Sequence, residues 1–210
     1  GLVADIAVRV LGGVEQRLRV VDPHLRDRIA GGVAFASGLG WMMLASNMRN
    51  AFVFAVALAI AASSLGFLAH NWHPAKIFMG DVASTFLGYT FAVLPLLSAD
   101  QGGDALMLGT LLMWTFIMDA GVTFIRRALK RENVLAAHRT HLYQRLVIGG
   151  YPHHIVSTLY LMLTLLAGVL SFEWSSGSRL APPLIIIGLP LIWIILSRHA
   201  KQLNLDADKR

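Results

Sequence analysis

The chain has no cysteine, which excludes disulfides and thiolate metal sites. Charge is also scarce. Lys, Arg, Asp and Glu make up 14% of the 210 residues, against 56% hydrophobic. An ordinary soluble domain carries about 25% charged residues, so a membrane-embedded helical domain is the simplest reading. The apolar runs lack the strict alternation of a membrane strand, which argues against a barrel. Acidic residues are the rarer sign, 12 against 18 basic, for a net charge of +6. Those basic residues are split among short loops, which argues against nucleic-acid binding. In a membrane protein they report orientation and contact with anionic lipid. No internal repeat or low-complexity segment is present. Residues 1–28 carry charges throughout and do not read as a cleavable signal peptide.

What is there in abundance is spanning sequence. A spanning helix needs roughly 20 apolar residues. Six segments qualify or nearly do: Ile29 to Ser46, Ala51 to Ala69, Val82 to Leu97, Ala105 to Ile125, Ile155 to Phe172, and Leu184 to Leu196, which can be lengthened through Pro182 and Pro183. The expected fold is all-α, a polytopic membrane helix bundle of about six spans. Residues 2–21 add an amphipathic helix. Val3, Ala7, Val10, Leu11, Val14, Leu18 and Val21 share one face, with Arg9, Glu15, Gln16 and Arg19 elsewhere. Such a helix lies in the interface or packs on a partner. The segment 21–28 reads as a polar break containing Pro23. The chain thus divides into a leader (1–28), a membrane domain (29–197) and a tail (198–210).

Placing residues 1–28 in the cytoplasm leaves Arg49 and Arg179 as the outer basic residues, so 16 of the 18 lie inside. The positive-inside rule selects this orientation. It puts two polar loops, 70–81 and 126–154, on the cytoplasmic side. The outer loops, around Asn47, Asp100 to Asp104 and Glu173 to Ser178, read as plain turns.

The first loop, NWHPAKIFMGD (71–81), opens into an apolar run. Gly80 allows a tight turn, and Asp81 stands where a helix begins. An Asp there suits a helix cap and the helix dipole. It also suits a magnesium site, which needs one or two carboxylates plus substrate phosphates. Lys76 and Asn71 lie close by. The second loop holds His138 and His141, three apart and so on one face if helical, flanked by Arg139 and Arg145. Zinc binding lacks a third ligand of matching spacing. Arginine forks match phosphate oxygens, and a solvated loop meeting lipid headgroups is the plain alternative. His153 and His154 read as interfacial. Asp119 lies about two turns before Arg126. It is either a buried acid with an unnamed partner or a residue at headgroup depth.

Together these motifs resemble the polyprenyl-phosphate N-acetylhexosamine-1-phosphate transferase family, which includes the phospho-N-acetylmuramoyl-pentapeptide transferases and the enzymes that start O-antigen glycans. Asn71, Pro74-Ala75-Lys76, Phe78-Met79-Gly80-Asp81, Ser84 and Leu87-Gly88 look like its metal-binding aspartate loop. Ala137-His138-Arg139-Thr140-His141-Leu142 looks like its histidine motif, and Asp119 before Arg126 fits the preceding helix. Tyr143 and Gln144 stand where the family often has two further histidines, and His138 stands where an acid is common before the arginine. Both departures look like the O-antigen side of the family. The early Asp-Asp motif and the Asn-rich acidic loop are missing, so the chain resembles a C-terminal half, over about residues 29 to 197.

The resemblance implies transfer of an N-acetylhexosamine 1-phosphate from a UDP-sugar to undecaprenyl phosphate, in the bacterial inner membrane with the active-site loops cytoplasmic. It implies Mg²⁺, or Mn²⁺ in its place, at Asp81. Asp81, His141 and His138 would be catalytic, with Asn71, Lys76, Phe78 and Arg139 binding substrate. A homodimer is an allowed assembly. Asp22 and Asp27 are the only nearby acids that could replace the missing ones. Two other readings remain open. One is an inactive membrane fragment or one half of a two-part transferase, motivated by the missing motifs. The other is a small transporter of an anionic solute, motivated by the basic loops and Asp119.

Overall fold

A computed structural model describes residues 23–72, 75–101, 104–133 and 140–208. Within them the chain is helical and no strand occurs. Helix α1 (Pro23–Asn47) begins on a proline, whose missing N–H costs nothing in a first turn. Helix α2 (Ala51–Asn71) is capped by Asn50, whose side chain accepts from the Val53 N–H at 3.0 Å. Then come α3 (Gly80–Leu97), α4 (Ala105–Leu111), α5 (Trp114–Leu129), the short α6 (Leu142–Ile148) and α7 (His153–Ser175). A proline-rich turn, Ala181–Pro183, and a π turn, Leu184–Gly188, lead into α8 (Leu189–Asp208). Pro190 accounts for the π turn: it has no N–H, and its ring crowds the carbonyl four residues back.

Five helices are long and apolar enough to cross a membrane, and α4 with α5 supplies a sixth, bent crossing. The chain is therefore an all-α polytopic bundle, as its hydropathy predicts. Helix α1 lies between α2 and α7, and α3 packs on α4. Leu25, Val33, Tyr160 and Trp193 fill one core among α1, α7 and α8. Trp41, Leu44, Val53, Leu94 and Leu108 fill a second among α1 to α4.

Several sequence-derived boundaries are corrected. Residues 105–125 do not form one straight span: the chain bends by 75° between α4 and α5. Bending a helix inside a bilayer frees backbone groups that need partners. Here Ser37 of α1 donates to the freed Leu112 carbonyl at 2.8 Å, both groups being buried. Below the bend, the Trp114 indole donates to the Leu163 carbonyl at 3.2 Å, and Thr115 and Thr164 hydrogen-bond at 3.0 Å. The bend is thus braced by α1 and α7. The polar break at Pro23 is instead the first turn of α1, because Leu25, Asp27, Arg28 and Ile29 are all buried. The tail from residue 198 continues α8 as helix. The amphipathic stretch 2–21 lies outside the described residues.

Helices α1 and α2 meet closely. A Cβ added at Gly38 would lie 3.0 Å from the Ala61 Cβ and 3.1 Å from the Ala57 carbonyl, whereas one at Gly66 would meet nothing within 4 Å. Small residues let membrane helices approach in this way. Gly38→Leu is expected to lower stability by about 1–3 kcal/mol through overpacking, and Gly66→Leu to have little effect. Thermal melts of both variants in detergent check this, and equal melting temperatures would refute the close packing.

Candidate functional site

The loop between α2 and α3 is held at three points. Asn71 is fully buried at the end of α2, and its Nδ2 donates to the Ile77 carbonyl at 2.6 Å. The Lys76 N–H donates to the His70 carbonyl at 2.9 Å. On the α1 side, the buried Asp27 accepts from the Met79 N–H at 3.1 Å, and the His24 and Phe78 rings lie 4.2 Å apart. A backbone N–H at a helix start has no partner within its helix, and a carboxylate placed there suits the dipole. Asp27 is therefore the tertiary cap of α3.

Held this way, Gly80 adopts φ +69°, a conformation open to glycine, and the chain turns into α3. Asp81 then lies in the first turn of α3 and does not cap it: the capping position is Met79, and Met79 makes no side-chain cap bond. The Asp81 side chain is 95% exposed, with Arg26 3.9 Å away. Arg26 also lies 3.8 Å from Asp27. Lys76 and Phe78 are exposed on the same loop. A cavity of about 380 Å³ opens beside it, bounded by Arg26, Asp27, Met79, Ser84 and, from the bend, Met113 and Phe116.

The second loop is fixed by the same device. Asp119 is buried on α5, and its Oδ1 accepts from the Leu142 N–H at 2.7 Å. Its Oδ2 accepts from the Tyr160 hydroxyl of α7 at 2.9 Å. His141 Nδ1 lies 3.5 Å from the same carboxylate. Asp119 thus has the partners that sequence could not name, and it is wholly occupied in positioning the start of α6. Gln144 accepts from the His141 N–H at 3.2 Å, and Arg126 donates to the Thr140 carbonyl at 2.7 Å. His141 itself is extended, at the capping position of α6. It is not on a helix, so the expected shared face with His138 does not arise from this end. His138 and Arg139 lie outside the described residues.

Tyr143 stacks on His141 with ring centroids 5.7 Å apart. Burial, then the Asp119 charge, push the Tyr143 phenol above the usual tyrosine range, while Arg26 acts in the opposite sense. Arg26 is therefore the electrostatic link between the two loops, touching Asp81 on one side and acting on Tyr143 on the other.

Among the described residues no group of three His, Cys, Asp or Glu side chains could enclose a metal. The chemistry of the donors nonetheless suits magnesium. Asp81 is an open carboxylate, and magnesium binds through one or two carboxylates with substrate phosphates completing the shell; the buried Asp27 is committed to the Met79 N–H and adds no second ligand. The residues that sequence reasoning undervalued are Arg26, Asp27, Tyr143 and Tyr160. Their signal was faint because each acts through a contact remote in sequence.

A double-mutant cycle on Asp119→Asn and Tyr160→Phe should show coupling of about 1–3 kcal/mol in unfolding free energy, as for a hydrogen bond to a charged group. Additive effects would contradict the clamp. Ultraviolet titration of the wild type against Tyr143→Phe should show the missing phenol ionising above the usual tyrosine range. A titration within that range would mean the ring is not buried beside Asp119.

Residues 26–99 match the family model for glycosyl transferase family 4. The chain is 30% identical over 153 residues to a probable undecaprenyl-phosphate N-acetylglucosaminyl 1-phosphate transferase of Bacillus subtilis (strain 168), covering 71% of this chain and 42% of that protein. It is 26% identical over 140 residues to a phospho-N-acetylmuramoyl-pentapeptide-transferase of Moorella thermoacetica, covering 67% and 43%. It is also 26% identical over 166 residues to a decaprenyl-phosphate N-acetylglucosaminephosphotransferase of Mycobacterium leprae, covering 69% and 41%. The chain spans about two fifths of the length of these relatives. No solved structure matches it.

Proposed function

Taking residues 26–99 as part of glycosyl transferase family 4, a family of enzymes, we propose that this chain carries one half of a site that transfers N-acetylhexosamine 1-phosphate from a UDP-sugar to undecaprenyl phosphate. The observation that supports this most is Asp81. It is a fully open carboxylate on a helix start that a buried carboxylate, Asp27, holds rigid.

In the proposed reaction an oxygen of the acceptor phosphate forms a bond to the phosphorus next to the sugar. The bond from that phosphorus to the bridging oxygen breaks, and UMP leaves with the electron pair. Both reactants are anions, so positioning and charge neutralisation supply most of the rate. Asp81 would hold Mg²⁺, or Mn²⁺, against the diphosphate, and the metal when bound neutralises charge there. Arg26, 3.9 Å from Asp81, is placed to swing from that carboxylate to a phosphate oxygen. Lys76 and Phe78 are exposed on the same loop as Asp81 and would meet the donor. Asn71 supports it from behind, since its amide is spent on the Ile77 carbonyl. His141 would contact the diphosphate, oriented by Asp119, with His138 and Arg139 beside it in sequence. Asp27 is not a replacement for the missing acids in this scheme, because it is committed to the Met79 N–H. The membrane would be the bacterial inner membrane, with both loops cytoplasmic.

A second reading has its own support. Val82, Phe86 and Tyr89 leave an apolar face of α3 uncovered directly beside Asp81. A separate subunit seated there would make this chain one part of a two-part transferase, inactive alone. The transporter reading loses one of its two motives, because Asp119 is committed to Leu142, Tyr160 and His141.

UMP release from UDP-N-acetylhexosamines, with undecaprenyl phosphate and Mg²⁺, tests the proposal. The chain is assayed alone and co-expressed with the N-terminal half of a relative. Release should require lipid and metal, and fall about 100-fold or more in Asp81→Asn. Activity only on co-expression would select the two-part reading. Release indifferent to Asp81→Asn, or none under either condition from folded protein, would refute the function.

A further inference from the structure

A second cavity among the described residues lies away from Asp81. It is a groove of about 750 Å³ between α5, α6 and α8, and it shares no lining residue with the cavity beside the Asp81 loop. Five cations line it, Arg126, Lys130, Arg145, Arg198 and Lys201, and among the described residues no carboxylate does. Packing five cations about one groove is costly unless an anion joins them. Arg126 and Arg145 donate to the Thr140 and Ser197 carbonyls, neutral acceptors that do not cancel their charge, and the Asp119 carboxylate, outside the groove lining, acts on Arg145 in part. Burial and the neighbouring Arg126 charge pull the Arg145 guanidinium below its usual range.

The groove is graded along its length. On α5 the lining passes from Met118 and Val122 to Arg126 and Lys130. On α8 it passes from Pro190, Trp193 and Ile194 to Arg198 and Lys201. Both helices thus change from apolar to basic in the same direction, at ends that border the spanning sequence. A ligand that fits the groove carries an anionic head and an apolar tail.

We propose that this groove binds an anionic membrane phospholipid, its phosphate among Arg126, Arg145 and Lys201 and an acyl chain along the exposed Val122 and Ile194. A free phosphate would leave the apolar half empty, and a zwitterionic lipid would leave the cations unmatched. The position has a consequence for the second loop. Arg126 holds the Thr140 carbonyl one residue before His141, so a lipid phosphate on Arg126 steadies the loop that carries His141. The lipid is a positioning ligand, remote from Asp81, and the inference stands whether or not the transferase reading does.

Native mass spectrometry of the purified chain, given an equimolar mixture of phosphatidylglycerol and phosphatidylcholine with the same acyl chains, tests it. Phosphatidylglycerol should be retained at least about fivefold over phosphatidylcholine. The exposed residues Arg198 and Lys201 permit a surface variant, Arg198→Gln with Lys201→Gln, which should lose about fivefold in retention per cation with an unchanged melting temperature in lipid-free detergent. Asp81→Asn should retain the lipid as the wild type does. Equal retention of the two lipids, or an undiminished preference in the double variant, would overturn the proposal. Displacement of phosphatidylglycerol by equimolar undecaprenyl phosphate would also overturn it, making the groove an acceptor site, and displacement by inorganic phosphate would make it a simple anion site.

Discussion

Two buried carboxylates, Asp27 and Asp119, each take the free backbone N–H at the start of another helix. The rest of the candidate site depends on that arrangement. In a bundle with little water, an unpaired N–H costs several kcal/mol, so the two helix starts cannot drift. Asp27 fixes the start of α3, which carries Asp81. Asp119 fixes the start of α6, at whose capping position His141 stands. The residues that would meet substrate are left open because others, behind them, are committed to the backbone. A carboxylate at a helix start also suits the dipole, so the anchor and the electrostatics agree.

The bend between α4 and α5 serves the same end. A straight span over residues 105–125 would place Asp119 on a different line from α6. The 75° break redirects α5, and Ser37, Trp114 and Thr115 take up the backbone and side-chain groups it exposes. The break also gives Met113 and Phe116 to the cavity beside Asp81 while Met118 and Val122 face the basic groove. One element therefore borders two separate openings, a mainly apolar one beside the Asp81 loop and a basic one between α5, α6 and α8.

Much of the fold was legible in the sequence, because a bilayer imposes a length and a polarity that composition records directly. The spans, the absence of strands among the described residues and the position of the Asp81 loop follow from that constraint. The motif from Asn71 to Gly88 also pointed to the family that the comparison of residues 26–99 supports. The break after Leu111 was not legible, since Leu111, Leu112 and Met113 continue the apolar run without glycine or proline, and the group that takes up the Leu112 carbonyl is Ser37, 75 residues away. The start of α1 was misjudged because Asp27 and Arg28 look like loop residues until their burial is seen. Asp119 was legible as unusual but not as a clamp, because its partners sit on α6 and α7. Local pattern shows which residues are costly in a membrane; only the packing shows what they are bonded to.

The most direct test is amide hydrogen exchange at Met79 and Leu142, compared among the wild type, Asp27→Ala and Asp119→Ala in detergent. Asp27→Ala should speed exchange at Met79 and its loop while leaving Leu142 protected, and Asp119→Ala should do the reverse. Unchanged protection in both variants, or loss of protection at both loops in each, would contradict the account of two independent carboxylate anchors.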